Sequence, residues 1–122
     1  MSELTIIHRI HGHSLHDIAI YLAERHLKIK KAKLRDTKVY KDKFYFAGEP
    51  DIVFDYVEKG EIYTYVVEME TNPTKASVEK KTNQFKLSNC GITDLIIIDL
   101  SKCEHPENWV ELDAYIKKWL PI

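Results

Sequence analysis

Hydrophobic and polar positions along this chain follow two different periods. Leu15, Ile18, Ala19 and Leu22 recur at helical spacing between Ser14 and Leu27, and Ser14 with Asp17 supplies a capping-box pattern at the start. A short strand, Leu4 to Ile7, is expected before this helix. Lys30 to Tyr40 alternates loosely between charged and apolar residues. With Lys38-Val39-Tyr40 and Phe44-Tyr45-Phe46 as strand formers, it predicts an exposed basic strand ending near the acidic hairpin that follows.

From Ile52 the period becomes two. Ile52, Phe54, Tyr56, Tyr63, Tyr65, Val67 and Met69 fall on one face of a hairpin. Val53, Val57, Ile62 and Val66 fall between acids on the other, so both faces are expected to be covered. Thr71-Asn72-Pro73 sets a capping residue before proline, opening a helix expected to run to about Asn89 and stop at Gly91. Its apolar stripe is thin, chiefly Val78 and Phe85, while Lys75, Lys80, Lys81, Gln84 and Lys86 occupy the remaining faces. Asp94 to Leu100 is a continuous apolar run, as expected of a strand buried on both faces and reached by a right-handed parallel crossover. Glu107 to Leu120, with Trp109, Leu112, Ile116 and Trp119 at helical spacing, predicts a last covering helix. The expected class is α/β, a central mixed sheet flanked by helices.

The hairpin carries the candidate chemistry. If Lys59-Gly60 is a two-residue turn, Val57 faces Ile62, Phe54 faces Tyr65 and Asp51 faces Glu68. Directly paired residues share a face, and alternation adds Glu70 to it. Three carboxylates this close are costly unless neutralised, and their oxygens are the ligands that Mg²⁺ or Mn²⁺ prefers.

Composition narrows the possibilities. The 122 residues have the length of one domain, residues 1–122, with no apolar run of membrane-spanning length. The opening Met-Ser-Glu-Leu-Thr lacks signal-peptide regions, so a cytoplasmic, soluble protein with no membrane contact is expected. Cys90 and Cys103 form neither a disulfide framework nor a metal-ligand spacing. His8, His11, His13 and His16 cluster in sequence but complete no recognised zinc pattern. The net charge of −1 conceals strong segregation. Lys28 to Lys43 holds eight Lys or Arg against two Asp, and Phe44 to Pro73 holds seven acids against one Lys. A basic stretch beside an acidic cluster suits a protein that grips a phosphate backbone near a metal, with Lys30, Lys31, Lys33 and Arg35 as the expected backbone contacts.

Pro50-Asp51 opening one strand, Glu68-Met69-Glu70 near the end of the next, then a Lys/Gln-bearing helix and an apolar strand, resemble the PD-(D/E)xK nuclease superfamily. That family has the restriction-endonuclease-like fold and includes archaeal Holliday-junction resolvases. The resemblance implies an α-β-β-β-α-β-α core and DNA phosphodiester hydrolysis with Mg²⁺ or Mn²⁺. Asp51 and Glu68 would be metal ligands, helped by the Met69 carbonyl.

The family usually has Lys where this chain has Glu70. Glu70 can act as general base and add a metal ligand, and the missing positive charge passes to Lys75 or Lys81. The Glu that the family often carries on its first helix has only Asp17 or Glu24 as counterparts, and Asp17 reads more simply as a cap. His13 or His16 would approach the acids, because the first helix begins nearby in this fold. Lys80 and Gln84 are the expected nucleotide contacts on the later helix. DNA, branched DNA included, is the implied partner, and a homodimer follows by analogy with resolvases. The alternatives are a nucleic-acid-binding module of the same fold without catalysis, or an interaction protein using Trp119 and the last helix.

Overall fold

The computed structural model describes residues 14–43, 48–88 and 91–122. The expected strand Leu4 to Ile7, His8, His11, His13, Phe44-Tyr45-Phe46 and Cys90 lie outside the described residues. Helix α1 spans Leu15–Ile29, two residues beyond the expected end. Ser14 caps it, its side chain accepting the Asp17 amide at 3.2 Å. Ala19, Leu22, Ala23, His26 and Leu27 form its buried face.

The expected basic strand shrinks to β1, Lys33–Leu34. Lys31 turns the chain at φ 63°, and Asp36 accepts the Lys38 amide at 3.0 Å to cap a 3₁₀ turn at Thr37–Tyr40. A short carboxylate side chain offers the backbone a local partner in place of a ladder, which is why strand formers at Val39 and Tyr40 do not extend the sheet.

Strands β2, Ile52–Glu58, and β3, Glu61–Glu70, are joined by Lys59-Gly60 with φ of 52° and 79°. Positive φ at both central residues is what a type I′ hairpin requires. The ladder runs from Glu58↔Glu61 through Val57↔Ile62 and Phe54↔Tyr65 to Ile52↔Val67, the expected register. Strand β1 lies antiparallel beside β2, pairing Lys33 with Asp55 and Leu34 with Phe54.

Helix α2 spans Lys75–Ser88 and leads to β4, Asp94–Asp99, which lies parallel to β3. Among the described residues the sheet order is β1-β2-β3-β4, so the molecule is α/β with a mixed sheet whose described part has four strands. Among the described residues β4 has one strand neighbour, β3. Contrary to the expectation of burial on both faces, only Ile98 within it is fully buried. Helix α2 also starts two residues later than Pro73. The Ser77 amide donates to Thr74 Oγ1 and the Thr74 amide to Ser77 Oγ, each at 3.0 Å, a reciprocal cap in place of the expected start at Thr71-Asn72-Pro73. Helix α3 spans Trp109–Trp119 and is capped by Asn108.

The sheet faces are unequal. Ile52, Phe54, Val67, Met69 and Ile98 pack against α1 and α3 in the main core, which also buries Cys103. Lys117 and Arg25 meet Asp113 at 2.8 and 3.5 Å, and the Arg25 guanidinium lies over Trp109, tying α1 to α3. On the opposite face Val53 and Val66 are buried under Tyr40, Phe85, Ile92 and Leu95. This cover stops short of the hairpin tip, where Val57 and Ile62 are 60% and 69% exposed, so the expectation that both faces are covered fails there. Among the described residues no helix is long and apolar enough to cross a membrane.

Candidate active site

Hairpin register, the start of α1 and the middle of α2 meet at one end of the sheet. Asp51 precedes β2, and its Oδ2 accepts the Met69 amide at 2.7 Å while its own amide donates to Glu68 Oε2 at 3.3 Å. These bonds extend the ladder beyond Ile52↔Val67, so the two carboxylates face each other as alternation requires. His16, in the first turn of α1, brings Nε2 to 3.1 Å from the same Asp51 Oδ2. From the other side of the strand pair, α2 delivers Lys81, whose ammonium donates to Glu70 Oε1 and lies 4.0 Å from Glu68 Oε1.

These groups line an open cavity of about 540 Å³, with the Met69 backbone and Glu49, Thr71, Ser77, Lys80 and Gln84 completing its surface. The Met69 side chain is buried in the main core, so its backbone alone can serve the site. The Oε1 of Gln84 is buried and has no hydrogen-bond partner among the described residues, an acceptor that a ligand donor would satisfy.

Electrostatics follows from burial. Glu68 is only 5% exposed, and burial, reinforced by the charge of Asp51, pushes its carboxyl up to about 8. Burial pulls the Lys81 ammonium down, but the hydrogen bond to Glu70 and the charges of Glu68, Glu70 and Asp51 outweigh it and hold the group raised. Lys81 is therefore charged at neutral pH and offsets part of the acidic crowding.

Several expected residues are not brought together. Lys75 lies outside the cavity and lines a separate depression with Glu79, Asp99 and Lys102. Lys75 and Lys81 are six residues apart, about 240° around a helix, so one of the two had to point away. Lys30 and Lys31 follow the far end of α1, about 21 Å along the helix axis from His16. Lys33 pairs with Asp55, about 13 Å along the strand from Asp51. Arg35 donates to Asp55 Oδ2 at 2.8 Å, and that carboxylate holds its guanidinium raised. Of the first-helix acids, Asp17 lies at the cap and Glu24 about 12 Å along the axis from His16, its carboxyl raised by burial against the opposing pull of Lys28.

The role of His16 is the part that sequence left open between His13 and His16. Only the packing of α1 singles it out, 35 residues from Asp51 in the chain. Asp99 caps the turn at Leu100–Lys102, its Oδ1 accepting the Ser101 amide at 3.0 Å.

The donor chemistry suits a hard divalent cation: carboxylate oxygens of Asp51, Glu68 and Glu70 with a backbone segment at Met69. Among the described residues no three His, Cys, Asp or Glu side chains already converge as a ligand set. Comparison with protein-family models, curated proteins and solved structures gives no match.

Proposed function

We propose that this chain hydrolyses phosphodiester bonds in DNA with a divalent cation, using a restriction-endonuclease-like core of the PD-(D/E)xK kind. The observation that carries this reading is the carboxylate pair. Asp51 and a buried Glu68 are interlocked through each other's strand, with Glu70 and Lys81 adjacent, in an open cavity. A lysine from α2 in contact with Glu70 supplies the positive charge that the family pattern usually has at position 70.

Asp51, Glu68 and the Met69 carbonyl would hold Mg²⁺ or Mn²⁺, which lowers the pKa of a bound water and offsets charge on the scissile phosphate. Glu70 positions the attacking water and accepts its proton, and Lys81, donating to Glu70, faces the developing phosphate charge. His16 fixes the orientation of Asp51 by engaging Oδ2. Gln84 offers its unpartnered oxygen to a donor on the nucleotide.

A second reading has a specific observation behind it. Glu70 is satisfied by Lys81 and among the described residues no three-ligand set is formed, as in a nucleic-acid-binding module that has lost catalysis. The separating experiment is incubation of supercoiled plasmid and of a four-way DNA junction with Mn²⁺, Mg²⁺ or EDTA. Metal-dependent nicking supports hydrolysis. Retarded migration with intact DNA under every cation supports the binding module.

A further inference from the structure

The geometry points to the loop Asp36 to Lys43 as the second cationic wall of the cavity, holding the phosphate backbone of DNA through Lys38, Lys41 and Lys43 opposite the α2 wall. This inference rests on the DNA reading above and assigns its binding track to residues outside Lys30 to Arg35.

Three observations carry it. Strand β1 runs antiparallel to β2, so each residue after Leu34 moves the chain about 3.3 Å towards the level of Asp51. The chain reaches that level at Thr37, whose hydroxyl donates at 3.0 Å to Glu49, a residue lining the cavity. The loop is then held there by Asp42, whose amide donates to the Gly48 carbonyl at 3.1 Å and whose carboxylate accepts the Gly48 amide at 3.0 Å.

Tyr40 and Phe85 both pack on Val53 and Val66, so the 3₁₀ turn and α2 stand on the same sheet face as Asp51 and Glu68. That face becomes a trough, acidic on its floor and lysine-bearing on both sides. Within the turn, residues three apart eclipse: Thr37 and Tyr40 face the sheet, while Lys38 and Lys41 share a different edge, and Lys38, Lys41 and Lys43 are exposed. The loop's two acids are turned to backbone amides, Asp36 to Lys38 and Asp42 to Gly48.

Screening decides between this loop and the rest of the basic segment. The Debye length is about 8 Å at physiological salt, so Lys30 and Lys31, about 21 Å from the His16 end of α1, contribute little at the cavity. Lys38 instead adjoins Thr37, the residue bonded to Glu49 on the cavity wall.

The test is fluorescence anisotropy of a labelled 30-base-pair duplex in EDTA, with log affinity followed against log salt. Lys38→Gln/Lys41→Gln/Lys43→Gln should flatten the slope by about two to three, one charge contact contributing about 0.9. Lys30→Gln/Lys31→Gln/Lys33→Gln should flatten it less, and Lys38→Arg/Lys41→Arg/Lys43→Arg should restore it. An unchanged slope in the loop variant, or a larger loss in the Lys30 group, overturns the assignment and leaves a cleaving protein a nuclease. Binding of the expected form by a protein that never cuts DNA keeps the wall and removes the nuclease reading. Absence of binding by the unmodified chain overturns the wall.

Discussion

Replacing Glu68 by Gln tests the physical heart of the site without requiring activity. Glutamine keeps the shape and an acceptor for the Asp51 amide but cannot ionise. Burial and Asp51 raise the Glu68 carboxyl from an ordinary 4.5 to about 8 in the folded chain. Below pH 4.5 folded and unfolded chains both keep the proton. Between about 4.5 and 8 only the unfolded chain has lost it, so stability falls as pH rises through this window and levels off above it. The interval corresponds to on the order of 5 kcal/mol, a large part of a small domain's stability. Urea denaturation in EDTA from pH 4.5 to 9 should therefore show Glu68→Gln gaining on the unmodified chain as pH rises, with the gap saturating above pH 8. The raised Lys81 contributes stability lost only above its ordinary 10.5, outside this window. Adding Mn²⁺ at a hundred times its dissociation constant should stabilise the unmodified chain at pH 8 by about 2.7 kcal/mol and the variant by much less. Parallel pH profiles for the two chains would refute the argument, since they would mean that Glu68 is ionised and satisfied throughout.

Three further outcomes are expected. Asp51→Asn should abolish metal-dependent cleavage while leaving duplex affinity in EDTA within a few-fold, and retained cleavage in a nicking assay would remove Asp51 from the ligand set. Lys81→Gln should slow cleavage by about 10²–10³ and Lys75→Ala should leave it unchanged, so the reverse ranking in single-turnover rates would mean that the wrong lysine has been chosen. Helix α2 buries no residue fully, so its amides should exchange with deuterium well before those of α1 and the β2–β3 ladder; equal protection by mass spectrometry would contradict its light anchoring.

How much was legible in advance differs by element. The hairpin register was readable because a two-residue turn plus alternation is arithmetic, and Gly60 suits the second positive-φ position of the turn even though Lys59 is not a favoured residue at the first. Helix α1 was readable from its cap and stripe. The short β1 was not, because the capture of the Lys38 amide by Asp36 competes with strand propensity, and propensity alone does not rank the two. The partial exposure of β4 was hidden for a different reason: an apolar run reports a strand's average hydrophobicity and not how completely each of its faces is covered. The cavity depended on helix phase as well. Lys75 and Lys81 were equal candidates until the start of α2 at Lys75 fixed which face meets Glu70.

The hairpin tip has a consequence for this protein's tolerance of length change. Lys59-Gly60 lies roughly 28 Å along the strands from Asp51, touching nothing in the cavity, yet it sets the parity of every pair down to Ile52↔Val67. Adding two residues at the tip preserves that parity and only lengthens an exposed end. Adding one must either send Glu68 and Glu70 to the core side or be absorbed as a bulge before the ladder reaches Val53. Insertions at this remote turn should therefore be tolerated by even counts and resisted by odd ones, a signature to seek in a library of loop-length variants scored for folding alone.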